Sequence, residues 1–69
     1  MTLKQLREAR AMSQSEVARE LQVTVISISK WENAAVTPQP QYVRALAKLY
    51  EVSIAEVQDA IKETKQAKN

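Results

Sequence analysis

Two short helical segments lie close together between Ser13 and Asn33, and their spacing constrains the fold more than any other feature of the chain. The sequence predicts one helix over residues 14–21 and a second over residues 25–33, joined by only three residues. Apolar positions recur at helical spacing in both segments. They are Val17, Ala18, Leu21, Val23, Ile28 and Trp31. We therefore expect the two helices to share one buried seam.

The small residue Ala18 lies in this seam. A side chain of one carbon lets two helices approach closely and cross at a steep angle, which is the geometry of a helix-turn-helix. In such a motif the second helix points outward and is presented to the major groove of DNA. The spacing therefore favours a nucleic-acid-binding domain.

Four helix starts share one pattern. An apolar residue is followed directly by a hydroxyl residue, and a second apolar residue lies four positions after the hydroxyl residue. The hydroxyl can accept a free backbone N–H group, and the apolar pair can pack as a hydrophobic staple. Three starts also have a Gln or Glu three residues after the cap, which completes a capping box; these residues are Gln5, Glu16 and Glu56. In helix 3 the residue three positions after the cap is Ser27, and an acid there would repel phosphate. The expected caps are Thr2, Ser13, Thr24 and Ser53.

The rest of the chain predicts three more helices, and hence an all-α fold of five helices. They cover residues 3–11, 40–50 and 54–62. Their expected inner faces are Leu3, Leu6 and the stem of Arg10, then Val43, Leu46, Ala47 and Tyr50, then Ile54, Val57 and Ile61. We predict a domain over residues 1–62, followed by a polar tail over residues 63–69 that frays.

The composition excludes most enzyme chemistry. The chain has no cysteine and no histidine, and Asp59 is its one aspartate. Disulfides, thiolate metal sites and most acid–base or nucleophilic mechanisms lack the residue types that they use. We therefore expect no enzyme, no cofactor, no metal and no small-molecule substrate.

The charge is weakly positive and unevenly placed. Residues 1–50 carry seven Lys or Arg and four Asp or Glu, whereas residues 51–69 carry three and four. The basic excess lies with the segment that DNA binding would use. No apolar run approaches membrane-spanning length, and the N-terminus lacks the apolar core of a signal peptide. We expect a cytoplasmic protein with no membrane partner.

The run ISKWEN at residues 28–33 follows the pattern S-Q-x-x-V-A at residues 13–18. The other positions of a recognisable pattern are Leu6-Arg7, Met12, Glu16, Leu21, Val23-Thr24, Pro38, Leu46-Ala47 and Val52-Ser53. Their order and spacing over residues 2–61 resemble those of the phage-repressor and Cro-type helix-turn-helix family of bacterial regulators.

The resemblance implies a compact, lambda-repressor-like domain that acts as a dimer with helix 3 in the major groove. It implies that Arg7 pairs with Glu32 and that Gln14 contacts phosphate at the start of helix 2, where the helix dipole favours an anion. It also implies Lys or Arg in a loop that is here Ala34-Ala35-Val36. Glycine is common in the family at positions occupied here by Ala11, Gln22, Ala34 and Glu51.

Four residues of helix 3 are left on its outer face if Ile28 and Trp31 point inward. Lys and Ser side chains can hydrogen-bond base edges, and Val or Ile can pack on a thymine methyl group. The four candidates for base contacts are Val25, Ile26, Ser29 and Lys30. Phosphate is the expected partner of Thr24, Ser27 and Asn33.

Each of these roles has a simpler alternative. Lys30 can contact phosphate or solvent instead of a base, and Ser29 can be a passive surface residue. The Arg7–Glu32 pair can be an exposed ion pair worth less than about 1 kcal/mol. Gln14 can do no more than begin a helix.

The sequence thus predicts a sequence-specific, DNA-binding transcriptional regulator that represses by occupying an operator. One recognition helix reads few base pairs, so we expect a homodimer on two half-sites. The alternative is a protein-interaction module, or an antitoxin-like protein that also binds a regulatory partner protein. Its contact patch would be Val25, Ile26 and Val36.

The chain has no glycine, although average usage would give about five. Other residues must therefore occupy any left-handed turn positions. Gln22, between helices 2 and 3, is the clearest candidate, at a cost of about 1 kcal/mol. Asn33 is the candidate after helix 3.

Overall fold

The computed structural model describes residues 1–67 and contains five α-helices joined by short loops. They are α1 (Leu3–Ala9), α2 (Gln14–Leu21), α3 (Val25–Glu32), α4 (Pro40–Tyr50) and α5 (Ile54–Ala67). The predicted all-α fold is confirmed, with no strand in the described part of the chain. Helices α2 and α4 have the predicted bounds, whereas α1 and α3 end two residues and one residue earlier.

All five helices contribute to one apolar core. Helix α2 packs mainly on α3, α4 packs on α5, and α1 contacts both α5 and α3. The predicted inner face of α4 is confirmed. Of the six residues predicted for the α2–α3 seam, four are buried, and Leu21 and Val23 are partly buried. The buried apolar residues are Leu3, Leu6, Val17, Ala18, Ile28, Trp31, Val43, Leu46, Ala47, Tyr50, Val57, Ala60 and Ile61.

Two side chains that were predicted to face the core are exposed. Arg10 lies beyond the end of α1 and forms an ion pair with Glu51, because Arg7 occupies the inner position one turn earlier. Ile54 is the first residue of α5 and lines an open groove, with 45% of its surface exposed. Both predictions were wrong, and both residues lie at or beyond a helix end.

Helix α5 does not end near residue 62, and the segment predicted to fray is helical as far as Ala67. Thr64 is buried, and its Oγ1 accepts a hydrogen bond from the Leu3 N–H at 3.0 Å and donates one to the Ala60 carbonyl at 2.7 Å. A polar residue thus continues the inner stripe of α5, which an apolar pattern alone does not reveal. Residues 68–69 of the predicted tail lie outside the described residues.

All four predicted N-caps are formed. Each cap hydroxyl accepts the backbone N–H three residues further on, at 3.0–3.2 Å. The three predicted capping boxes are also confirmed, because Gln5, Glu16 and Glu56 accept the N–H groups of their caps at 2.8, 2.8 and 3.2 Å. The starts of these four helices are therefore fixed by local side-chain hydrogen bonds, whereas α4 begins at Pro40 without a side-chain cap.

Four helices end in a left-handed residue, and none of these residues is glycine. They have φ angles of 55–59° and are Ala11, Gln22, Ala34 and Glu51. Each forms a Schellman motif; in the turn after α2, Gln22 N–H donates to the Arg19 carbonyl at 3.2 Å and Val23 N–H donates to the Ala18 carbonyl at 3.0 Å. The expectation for Gln22 is confirmed, but the one for Asn33 was wrong, because its φ is −96° and Ala34 is the left-handed residue.

Three of these turns lead directly into the next helix through an apolar residue and a hydroxyl cap. The pairs are Met12-Ser13, Val23-Thr24 and Val52-Ser53. The apolar member packs against the core in each case. One helix is therefore stopped and the next is started within three residues, which fixes the direction in which α3 leaves α2.

Candidate nucleic-acid interface

Helix α3 lies at the surface and is held there by its inner face. Ile28 and Trp31 are only 2% and 7% exposed. Trp31 also packs against Tyr42 of α4, with 5.2 Å between the ring centroids. Ala18 of α2 is buried in the same seam. The opposite face of α3 therefore points away from the core.

This outer face of α3 has an apolar first turn and a polar second turn. Ile26 is 63% exposed and Val25 is 40% exposed. Lys30 is exposed, whereas Ser29 is half-buried and its Oγ accepts a hydrogen bond from Asn33 Nδ2 at 3.3 Å. Three of the four residues predicted to contact bases are thus open to a ligand, and Ser29 is engaged with a predicted phosphate contact.

The first turn of α3 carries hydroxyl groups and no acidic residue. Thr24 Oγ1 accepts the Ser27 N–H at 3.2 Å and lies 3.2 Å from Ser27 Oγ. The positive end of the helix dipole lies at this point. An anion can therefore approach the start of α3 without meeting a carboxylate of that turn.

A partly buried hydrogen-bonded cluster, the Arg7 cluster, joins the C-terminal end of α3 to α1 and α2. It consists of Arg7, Gln14, Glu32 and the carbonyl of Met12. Arg7 Nε and Nη2 donate to the Glu32 carboxylate at 2.6 and 3.1 Å, and Nη1 donates to the Met12 carbonyl at 2.8 Å. The hydrogen bond to Glu32 raises the pKa of Arg7, so the guanidinium keeps its charge.

The Arg7–Glu32 ion pair at the centre of this cluster is buried. It is therefore not the exposed surface pair that the sequence left open as a simpler alternative. The Arg7 and Glu32 side chains are only 11% and 6% exposed. Two parallel hydrogen bonds between a guanidinium and a carboxylate fix their relative orientation. The pair therefore sets the position of the last turn of α3 relative to α1.

Gln14 belongs to the Arg7 cluster, which was not predicted. Its Nε2 donates to Glu32 Oε1 at 3.0 Å, across 18 positions of sequence. An amide nitrogen carries two protons, so a second one is available to an external acceptor. The first backbone N–H groups of α2, those of Gln14 and Ser15, have no intrahelical acceptor. No periodic pattern in the sequence signals the Gln14–Glu32 contact.

The predicted site residues fall into two groups at the two ends of α3. Helix α3 has eight residues and is about 12 Å long. The diameter of a helix with its side chains is about 10–12 Å, which fits a major groove about 12 Å wide. The first group is Thr24, Val25, Ile26 and Ser27, and the second is Ser29, Lys30, Asn33 and Gln14.

The loop after α3 begins with three uncharged residues. The N–H groups of Ala35 and Val36 both donate to the Lys30 carbonyl, at 2.9 and 3.3 Å, and Val36 is 47% exposed. This loop therefore neutralises no phosphate at these positions. Each phosphate contact that is missing reduces the slope of log affinity against log salt by about 0.9.

Tyr50 of α4 lies beside Glu32 and is buried, with 3% of its surface exposed. Burial raises the pKa of its phenol to about 12, and the charge of Glu32 adds to this effect. In the unfolded chain a tyrosine ionises near pH 10. Only the unfolded state therefore loses this proton between pH 10 and 12, so the stability from Tyr50 is complete below pH 10 and is lost above it.

We accordingly expect the free energy of unfolding to fall by about 2 kcal/mol between pH 10 and 12. Urea unfolding followed by circular dichroism across this range measures the effect. The Tyr50→Phe variant should lack this part of the pH dependence, whereas Tyr42→Phe, which changes the half-buried tyrosine, should keep it. An equal fall in Tyr50→Phe would contradict the assignment to Tyr50.

The described segment has no cluster of the common metal-ligating side chains and no helix with the length and apolarity of a membrane span. Within residues 1–67 there is no group of three or more His, Cys, Asp or Glu side chains that could hold a metal ion. Among the helices of that segment, none is long and apolar enough to cross a membrane.

The chain belongs to the helix-turn-helix domain family, whose model matches residues 1–60. The match includes α2, the α2–α3 turn and α3. Helix-turn-helix domains are DNA-binding modules that place their second helix in the major groove. No curated protein and no solved structure matches the chain. The closer likeness to phage-repressor and Cro-type regulators stays a prediction.

Proposed function

We propose that this protein is a cytoplasmic, sequence-specific transcriptional repressor that acts without catalysis and without a cofactor. The observation that carries the proposal is the outer face of α3. It is exposed, has no acid in its first turn, and is held from below by the α2–α3 seam and the Arg7 cluster. In this proposal α3 enters the major groove of an operator, and the bound protein blocks RNA polymerase.

The outer face of α3 supplies two kinds of base contact. Lys30 donates hydrogen bonds to O6 or N7 of guanine, and Val25 and Ile26 pack against thymine methyl groups. The apolar first turn thus favours A·T pairs at one end of the half-site. The lysine favours a G·C pair at the other end.

Phosphate contacts flank these base contacts and position the helix. The second amide proton of Gln14 and the first N–H groups of α2 hold one phosphate. Because Gln14 also donates to Glu32, this phosphate contact is coupled directly to the last turn of α3. Further phosphates meet Thr24, Ser27 and Asn33.

The proposal includes a homodimer. A single α3 reads about four base pairs, each worth about 1–3 kcal/mol of discrimination, and so short a site recurs too often to be selective. Two copies on half-sites about 34 Å apart double the length of sequence that is read.

The test begins with selection of bound duplexes from a random DNA pool, followed by anisotropy titrations of the selected site. We expect Lys30→Ala to weaken binding about tenfold, because a base contact is lost. We expect Gln14→Ala to weaken it about fivefold, because a phosphate hydrogen bond is lost. Lys62→Ala makes the same change in charge on α5 and should leave affinity within about twofold of the wild type.

A palindromic selected site would support the dimer as well as the activity. Wild-type affinity in both Lys30→Ala and Gln14→Ala would contradict the proposed docking. Circular dichroism of each variant shows whether its fold is intact.

The second candidate function is binding of a partner protein through the start of α3, alone or together with DNA as in an antitoxin. It is favoured by the exposure of Ile26 at 63% and Val36 at 47%, and by the lack of basic residues at positions 34–36. Affinity for DNA that falls steeply with salt supports the repressor. Loss of a partner in Ile26→Asp, with no salt-dependent DNA binding, supports the second candidate.

A further inference from the structure

An open groove of about 690 Å³, the α4–α5 groove, lies between the start of α4 and one face of α5. None of its lining residues belongs to α3, so it is distinct from the interface proposed above. Its apolar floor is formed by Pro38, Val43, Ile54 and Ile61. Val43 and Ile61 are also core residues, whereas Ile54 is 45% exposed although it is a large apolar side chain.

The groove follows α5 over about three turns. Ile54, Gln58, Ile61 and Lys65 all line it and are spaced by four, three and four residues. This spacing places them on one face of the helix. From Ile54 to Lys65 the helix rises by about 16 Å. The groove is thus long enough for about three turns of a second helix.

The rim of the groove is basic. Arg44, Lys62 and Lys65 line it together with a single acid, Asp59. None of the three cations forms an ion pair with another residue of the described segment. Residues 51–69 as a whole carry one more acid than base. The positive rim is therefore a local feature of the groove and not a consequence of the charge of this C-terminal segment.

The apolar floor and the basic rim together indicate which kind of molecule the groove binds. A second copy related by a two-fold axis would bring together two rims that each carry three cations and one acid, and like charges brought together oppose association. The DNA backbone would satisfy the rim but would leave the apolar floor without a partner. An amphipathic helix with acidic flanks satisfies both, because its apolar stripe covers the floor and its carboxylates meet the rim.

We infer that the α4–α5 groove is a docking site for an acidic amphipathic helix of a partner protein. The partner carries apolar residues at i, i+3 or i+4, and i+7, flanked by Asp or Glu. The surface lies apart from the outer face of α3, so a partner bound there leaves α3 open to DNA. The contact connects a DNA-bound copy of this chain to a second protein.

The test uses the full chain and three fluorescein-labelled amphipathic peptides of about 14 residues, long enough for about three to four helical turns. The peptides share one leucine stripe and differ only in their flanking residues, which are Glu, Gln or Lys. We expect the Glu peptide to bind at least about tenfold more tightly than the Lys peptide, with an advantage that shrinks at high salt.

Substitutions on the protein locate the contact. We expect Ile54→Asp to weaken binding of the Glu peptide at least about tenfold, since a charge replaces the exposed part of the floor. An aspartate in the first turn of α5 is favourable for the helix dipole, so the fold is expected to persist. Ala11→Asp is the charge-matched control, because Ala11 is exposed, lies outside the groove and has a left-handed φ that aspartate tolerates.

Charge reversal gives a second, independent readout. The double variant with Lys62→Glu and Lys65→Glu is expected to prefer the Lys peptide over the Glu peptide. Failure of all three peptides to bind would overturn the inference, as would unchanged binding in Ile54→Asp. Self-association that sedimentation detects in the wild type and not in Ile54→Asp would assign the groove to a second copy. A loss of operator affinity in Ile54→Asp would assign it to DNA.

Discussion

We expect the Glu32→Ala variant to lose about 3–5 kcal/mol of its free energy of unfolding. The change leaves the buried Arg7 guanidinium with the carbonyl of Met12 as its remaining partner in the cluster, and it removes the acceptor of the Gln14 amide. A domain of this size has a total stability of about 4–10 kcal/mol. The variant is therefore expected to be close to its unfolding midpoint under conditions in which the wild type is folded. Urea unfolding followed by circular dichroism measures the loss.

The matched control removes the glutamate of an exposed pair. Glu51 pairs with Arg10, and these side chains are 67% and 43% exposed. Because exposed ion pairs contribute little, Glu51→Ala should change the free energy of unfolding by less than about 1 kcal/mol. Equal losses in Glu32→Ala and Glu51→Ala would show that burial of the Arg7–Glu32 pair does not determine its contribution.

A second variant separates the cost of an unpaired charge from the value of the pair. Replacing both charged residues, by Arg7→Met together with Glu32→Leu, removes the buried charge as well as its partner. Such replacements are often neutral or stabilising in other proteins. We expect the double variant to recover most of the stability lost in Glu32→Ala.

Stability and recognition meet at the Glu32 carboxylate. It accepts hydrogen bonds from Arg7, which ties α3 to α1, and from Gln14, whose second proton is proposed to hold a phosphate. A change at Glu32 should therefore affect DNA affinity even where the domain remains folded. Gln14→Ala removes only one of these links and should be the milder of the two.

Much of the fold could be predicted because it is specified locally. The caps at Thr2, Ser13, Thr24 and Ser53 depend on residues three positions apart, and all four are formed. The outer face of α3 follows from helical periodicity once Ile28 and Trp31 are placed inside. Contacts of this range can be read from a single sequence because no other part of the chain decides them.

The features that could not be predicted depend on distant parts of the chain. Gln14 contacts Glu32 across 18 positions, and Thr64 accepts a hydrogen bond from Leu3 across 61. Both are polar contacts without periodicity, so the sequence predicted neither the Gln14–Glu32 contact nor the continuation of α5. The turn after α3 was misplaced by one residue, because Asn33 still donates its N–H to the Ser29 carbonyl and the reversal falls on Ala34.

We expect replacement of all four left-handed residues by glycine to raise the free energy of unfolding by about 2–4 kcal/mol. A residue with a Cβ atom is strained by about 1–2 kcal/mol in this conformation, and glycine removes that strain. Glycine also makes the unfolded chain more flexible, which cancels about 0.4–1 kcal/mol of the added stability at each site. The sites lie at four different helix ends, so their effects should nearly add, less the contribution of under about 1 kcal/mol from the exposed Arg10–Glu51 pair that Glu51→Gly removes. The changes are Ala11→Gly, Gln22→Gly, Ala34→Gly and Glu51→Gly.

Thermal unfolding measures this gain as a rise in Tm of more than about 8 °C for a domain of this length. Ala45→Gly is the control, because it makes the same chemical change as Ala11→Gly inside α4 and should lower stability by about 1 kcal/mol. A fourfold variant no more stable than the wild type would show that these turns carry little strain. Since glycine adopts the φ that Gln22 already has, α3 should keep its direction, and affinity for a selected operator should stay within about twofold of the wild type.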